Sequence, residues 1–374
     1  MSIFISIFIY IANSINTILS RFSKWPVIMF ILLLCILMGA NTVNPDIYAY
    51  TIAYDPNRQG SDYGYMLLVK FFNLLGFEYA GFRMITSIFG ILLIHQTVKK
   101  FIKNHSPFYL LYFIYPFFID IVQVRNFLVM AIFIFSIPFL LSNKKIDMIK
   151  YIVLMLLAST IQLTGLVYLP IVFLVRLRKS AFIRLILVIT IILLVIISLY
   201  RPLLNGLSNI IISNFGGFDD RIADYSHIQT NFGFLLLWSL QIINFLLIVW
   251  ANRIYKRNND ICKSDGELRN LAETNGINSK FMILTLWINI FAFVFLPFYV
   301  FQITFSRFLR NIVPINLLAF LVVEQILKKR GKKNTLFRLS YLSYHILLFW
   351  IDINLLYPNI EMINFFKDNW LIGW

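Results

Sequence analysis

Acidic charge, cysteine and histidine are all scarce in this chain. Its 374 residues include 17 Asp and Glu, 2 cysteines and 4 histidines. Cys35 and Cys262 are too few for a disulfide framework or a thiolate metal cluster. One falls in an apolar run and the other in a basic link, so they do not read as a bridge. No H-E-x-x-H, Cys/His pair, P-loop or G-x-S-x-G occurs, and Gly216–Gly217 do not complete a dinucleotide fingerprint. The chain is therefore expected to use no metal and no cofactor, and to couple to no nucleotide of its own. A basic n-region and a cleavage site are also missing from MSIFISIFIYIANSINTILSRFSK, which reads as a retained first helix. No soluble domain, internal repeat or low-complexity tail is visible, so 1–374 reads as a single integral membrane domain.

What is abundant is apolar surface. Hydrophobic residues make up 60%, aromatics 17%, and mean hydropathy is +0.79. A soluble core cannot use that much. Apolar runs of roughly 18 or more residues read as transmembrane helices, and the chain has many. The net charge of +16 suggests a nucleic-acid partner until the charges are located. Lys and Arg sit in short links between apolar runs, where they orient helices, so no nucleic acid is expected. The links are Arg21/Lys24, Lys99/Lys100/Lys103, Lys144/Lys145/Lys150, Arg176/Arg178/Lys179/Arg184, Arg253 to Lys280, and KKRGKK at 328–333. The positive-inside rule places them in the cytoplasm.

Between them lie spans near 2–20, 26–40, 83–98, 107–121, 126–142, 182–203, 233–251, 281–300, 307–327 and 339–357. The expected fold is all-α and polytopic, with about ten to twelve transmembrane helices and an extracytoplasmic substrate cavity. Outer loops fall near 41–82 and 204–232, a cytoplasmic loop near 252–280, and both termini face outward. Two segments resist simple crossing. If 62–82 crossed, the lysines at 99–103 would fall outside, so 63–78 reads as an amphipathic or re-entrant piece on the outer side. Segment 151–175 lies between two basic links. A broken hairpin turning near Gln162–Gly165 keeps both inside, and two short tilted spans would do the same. Irregular backbone at membrane depth survives only when buried in protein or lining a wet cavity.

The outer side keeps few basic residues, mostly arginine: Arg58, Arg83, Arg125, Arg201, Arg221, Arg307 and Arg310. Guanidinium stays charged and grips phosphate bidentately. Arg125 and Arg307 each begin a span as the chain returns from outside. Gln123 and Asn126 flank the first, and Gln302, Thr304, Ser306 and Arg310 accompany the second. The plainer reading is snorkelling to lipid headgroups. Asp46, Asp55 and Asp62 are candidate general bases, and Tyr48, Tyr50, Tyr54, Tyr63 and Tyr65 could stack on sugar rings. The alternative is an interfacial aromatic belt with solvated carboxylates. Arg221, Asp224, Tyr225 and His227 group in the second outer loop. Gln162 and Thr164 sit in the proposed break, as substrate contacts or as caps of freed helix ends.

In order, the chain presents PDIYAY, DYGYMLLVKFF, VRNFLVMAI, LASTIQLTGLVYLPI, RIADY and FSRFLRNIVPI. Over about 40–325 this pattern resembles the EpsG/Wzy family of bacterial exopolysaccharide and capsule polymerases. Two positions depart from it. The family commonly has Arg-Gln where this chain has Arg125–Asn126, and a His where it has Gln162. Gln is neither acid nor base, so a proton-carrying role would pass to Asp46 or Asp62. The resemblance implies a glycosyltransferase of the bacterial cytoplasmic membrane that joins polyprenyl-diphosphate-linked oligosaccharide repeat units at the outer face. A chain-length regulator is a conceivable partner. It implies Asp46, Asp62, Arg125 and Arg307 at the chemistry, with Arg58, Asn126, Gln162, Arg221, Tyr225 and Arg310 binding substrate. A flippase for the same lipid-linked substrate, another polyprenyl-phosphate glycosyltransferase and a membrane acyltransferase are the competing readings. A flippase usually shows two similar halves.

Overall fold

A computed structural model of the protein describes residues 2–18, 24–57, 62–142, 144–177, 181–200, 206, 233–264, 272–301 and 303–372. Regular structure among them is wholly helical. In chain order the helices are α1 (Ser2–Ile18), α2 (Lys24–Gly39), α3 (Ile47–Ala53), α4 (Tyr63–Leu74), α5 (Tyr79–Phe101), α6 (Ser106–Ile114), α7 (Phe117–Val122), α8 (Val124–Leu141) and α9 (Lys145–Ile161). They continue with α10 (Ile171–Leu177), α11 (Ala181–Leu199), α12 (Gly233–Ser264), α13 (Ala272–Ala292), α14 (Phe298–Phe301), α15 (Arg307–Lys329), α16 (Thr335–Ile351) and α17 (Asn364–Lys367).

Six of the described helices are long and apolar enough to cross a membrane: α5, α8, α12, α13, α15 and α16. That is fewer than the ten crossings expected. The span expected at 107–121 is split. Pro116 has no N–H to continue a helix, Tyr115 is extended, and the run becomes α6 and α7. The loop expected over 252–280 is largely helical, because α12 runs on to Ser264 and α13 starts at Ala272. The piece expected at 63–78 is the 12-residue α4, roughly 18 Å long against a hydrocarbon core of about 30 Å. It turns Tyr65 and Val69 inward and leaves Leu67, Phe71 and Leu74 exposed.

The break expected near Gln162 is present. Gln162 is extended, a 3₁₀ turn follows over Leu163–Tyr168, and the chain folds back along α9. Tyr151 Oη donates to Tyr168 O at 2.6 Å, which fixes the return. Gly165 permits the close approach: a Cβ there would sit 2.5 Å from Ser159 N and 2.7 Å from Ala158 C.

Two helices form the centre. In α8 and α15, 78% and 83% of the apolar window is buried, against 33% in α16. The outer helices, such as α11, leave Leu185, Ile189, Ile192 and Ile196 exposed, as lipid-facing surfaces do.

The basic links around Lys100, Lys150 and Lys280 converge on one end. Lys103 N–H donates to Gln325 Oε1 at 2.8 Å, and Lys280 Nζ to Leu141 O at 3.2 Å. Lys100 and Lys150 both lie over the Phe139 ring, at 5.8 and 5.6 Å. Arg338 pairs with Glu324 there. The positive-inside rule assigns this end to the cytoplasm. Both central helices start at the opposite end.

Candidate functional site

At that opposite end the first turns of α8 and α15 carry Arg125, Arg307 and Arg310. The chain enters α8 through a corner at Gln123, where φ is −101° and ψ 61°. Gln123 N–H closes α7 on Ile119 O at 2.9 Å, and Gln123 O opens α8 by accepting from Phe127 N–H at 2.9 Å. This corner brings Arg125 against the outer loop. Its Nη1 donates to Asp62 Oδ2 at 2.5 Å. Its guanidinium lies over the rings of Tyr50 and Tyr65, at 5.3 and 5.2 Å. One side chain thus joins α8 to both α3 and α4. Such ring contacts are worth about 0.5–1 kcal/mol when exposed and more when desolvated. Asp62 is therefore engaged by Arg125, and Tyr50 and Tyr65 are buried against it rather than open to a sugar. Tyr48 and Tyr63 remain exposed.

Asp46 is half-buried just before α3. Burial pushes its carboxyl above the usual carboxylate range, and the charges of Arg307 and Arg125 pull against that shift without cancelling it. Asp46 thus feels both arginines.

Arg310 is 1% exposed. Its Nη2 donates to Gln123 Oε1, its Nη1 to Tyr357 Oη at 3.3 Å, and its guanidinium lies 5.8 Å from the Tyr357 ring centre. The carboxylates of Asp120 and Asp352 act on its charge from the buried interior. Asp120 Oδ2 accepts from Tyr112 Oη at 2.7 Å. Arg307 is half-buried, and its charge reaches both Asp46 and Tyr357. Residue 303 does not share a helix face with Arg307, because 303–306 is a 3₁₀ turn and α15 begins at Arg307.

Asn126, expected to touch substrate, is 1% exposed and bonded elsewhere. It exchanges two amide bonds with Asn311, at 2.9 and 3.0 Å, and Asn311 also donates to Tyr168 Oη at 2.9 Å. These bonds couple α8, α15 and the returning 3₁₀ turn. Gln162 lies at the head of that turn, buried, with an Oε1 that has no hydrogen-bond partner among the described residues. The end of α9, just before Gln162, adjoins α4: a Cβ on Gly64 would lie 2.0 Å from Thr160 Oγ1. Arg58, Arg221 and Tyr225 lie outside the described residues.

The structure thus gathers Asp46, Asp62, Arg125, Arg307 and Arg310 at one end, with the Gln162 turn beside α4. Sequence reasoning missed Tyr357 and Asp352, which arrive from beyond α16, and Tyr168. It also missed Asn311, whose signal was a second amide beside Arg310 in the same apolar run. Arg83 is a tie rather than a ligand group. Its Nη1 donates to Asn41 O at 2.8 Å and its Nη2 to Ile121 O at 3.0 Å. Among the described residues no group of three or more His, Cys, Asp or Glu could hold a metal ion.

No curated protein and no solved structure matches the chain. The model of the EpsG family matches residues 23–367, nearly the whole length and the whole of the arginine-lined end. With its apolar helices, this multi-pass membrane protein belongs to the EpsG family, a group of exopolysaccharide-polymerase type.

Proposed function

We propose that this protein is a polysaccharide polymerase that joins oligosaccharide repeat units carried on polyprenyl diphosphate, at the outer face of the bacterial cytoplasmic membrane, in capsule or exopolysaccharide synthesis. One observation carries the reading. The two central helices begin at the same end, and their first turns hold three arginines, two of which, Arg125 and Arg307, act on the half-buried carboxylate of Asp46. Arginine and a helix N-terminus both favour a diphosphate. The positive-inside rule puts that end on the outer side.

In this mechanism an acceptor hydroxyl oxygen attacks the anomeric carbon of the donor glycan. The bond from that carbon to the diphosphate oxygen breaks, and its electron pair leaves with polyprenyl diphosphate. Arg125 and Arg307 stabilise the leaving charge, and preorganised cations at such a position are a large term in transfer catalysis. The hydroxyl proton passes to Asp46, whose raised carboxyl suits a general base. Asp62 is the poorer choice, since Arg125 engages it. Arg310 and Gln162 support substrate from deeper in the protein, with Arg58, Arg221 and Tyr225 in the outer loops. No nucleotide enters, because the glycosyl-phosphate bond supplies the energy.

The test is direct. Purified full-length protein in lipid, given lipid-linked repeat units, should yield a ladder of products spaced by one repeat. Unchanged repeat units would refute the reading. In cells, loss of the protein should leave single repeat units on the outer face, whereas loss of a flippase would trap them inside.

A further inference from the structure

The arginine cluster accounts for a diphosphate but not for a glycan. A separate cavity of about 640 Å³ lies beside it, between the start of the outer loop and the α4–α5 turn. That volume is ordinary for a small-molecule site. Its walls mix three aromatic residues, Tyr54, Phe77 and Tyr79, with the amides Asn41 and Asn73 and the guanidinium of Arg83.

We propose that this cavity binds sugar residues of the lipid-linked glycan; the proposal rests on the polymerase reading. The chemistry of the walls selects among the parts of such a substrate. A polyprenyl chain would want an apolar groove. A diphosphate would want several free cations, and the single Arg83 is committed to two backbone carbonyls. Sugar rings present apolar faces and hydroxyl edges together, which aromatic rings and amides match. Asn73 commits one N–H to Val69 O at 2.9 Å, which leaves its other N–H and its oxygen unclaimed among the described residues. Tyr79 Oη is buried without a hydrogen-bond partner among the described residues, which is polar capacity that the protein itself leaves unused.

The position also fits. The Tyr54 ring lies 5.2 Å from Phe82, Phe82 lies 5.8 Å from Tyr65, and Tyr65 lies 5.2 Å from the Arg125 guanidinium. Two buried rings, Phe82 and Tyr65, separate the Tyr54 wall of the cavity from Arg125. A glycan attached to a diphosphate at Arg125 therefore starts within reach of it. Arg83 ties the cavity wall to Ile121 O, two residues before the Gln123 that holds Arg310.

The experiment uses full-length protein in nanodiscs and two probes. One is the free oligosaccharide released by mild acid from the cell's own lipid-linked repeat units. The other is a prenyl diphosphate without sugar. Saturation-transfer NMR or calorimetry reads each affinity. Thr51 and Ala80 line the cavity at exposed positions, so Thr51→Trp and Ala80→Trp fill it without disturbing the core. Each should weaken oligosaccharide binding about tenfold or more, a loss of roughly 1.4 kcal/mol, and leave prenyl diphosphate binding unchanged. Asn73→Ala, which adds no bulk, should weaken the oligosaccharide alone. Arg125→Ala should do the reverse. Absent oligosaccharide binding in the wild type, or wild-type affinity in both Trp variants, would overturn the sugar site. Weakened oligosaccharide binding in the cavity variants, with diphosphate binding indifferent to Arg125, would uphold the sugar site and remove the diphosphate reading instead.

Discussion

Arg125 has two jobs to separate: holding the outer loop and holding a substrate. Arg125→Ala removes one half of an ion pair whose side chains are 22% and 9% exposed. Exposed pairs are worth about 0–1 kcal/mol, while stripping one partner from a buried pair costs roughly 3–5 kcal/mol. The intermediate burial here puts the single variant at about 2–3 kcal/mol, mostly from the Asp62 carboxylate left alone. The lost contacts with the Tyr50 and Tyr65 rings add about 0.5–1 kcal/mol each. In Arg125→Ala/Asp62→Asn the stranded charge is gone, so most of the first cost should return and the ring cost should persist. Thermal unfolding in detergent, followed by tryptophan fluorescence, reads this recovery. Gel analysis of the surface polysaccharide reads function in the same cells. The double variant should fold and still make no long chains, because neutralising Asp62 restores stability and not a phosphate contact. Asp62→Asn alone controls for the carboxylate and should keep polymer. Long chains of normal length from the double variant would refute the phosphate role and reduce Arg125 to a structural tie.

Asp46→Asn should abolish polymer ladders in vitro, and the pH dependence carries a sign. The Asp46 carboxyl is raised in the folded protein, so its contribution to stability is present at low pH and is lost as pH rises through the raised value. Activity runs the other way: the wild-type rate should fall as pH drops through that value, and an unchanged acid limb in Asp46→Asn would exclude Asp46 as the base. Gly165→Ala forces a Cβ against the backbone of Ser159 and Ala158, and should cost about 1–3 kcal/mol, measured as a lower midpoint of thermal unfolding. Asn311→Ala strands Asn126 and should cost about 1–2 kcal/mol; an unchanged midpoint would show that the amide pair contributes nothing.

Much of this arrangement could be read from the chain, and the reasons differ by element. Basic links mark one end because charge cannot be hidden in hydrocarbon, and the same links meet there in space. The break at Gln162 was legible because polar residues interrupt an apolar run. Arg125 and Arg307 stood out for the same reason, and Asp46 feels both. The 107–121 span misled because an averaged apolar window conceals one proline, and Pro116 ends the hydrogen-bond ladder regardless of its neighbours. The fate of Asn126 was hidden because an amide's partner depends on direction, and Asn311 lies 185 residues away. The outer-loop tyrosines suited either sugar stacking or an interfacial belt, and Tyr50 and Tyr65 instead turn to the nearest cation.

The segment after α16 returns to the beginning of the outer loop. Asn41 and Asn369 form an antiparallel bridge, Thr42 N–H donates to Asp368 O at 2.8 Å, and Trp370 N–H to Ala40 O at 3.0 Å. Tyr357 meanwhile lies against Arg310. This sets an order of assembly. The outer loop is synthesised early, but its latch is made only after every described membrane helix. A nascent chain lacking 352–370 holds a buried Arg310 without Asp352 or Tyr357, and an outer loop with nothing to close it. The arginine-lined end is therefore finished by translation of the tail, so that a chain cut short after α16 would enter the membrane without a completed site.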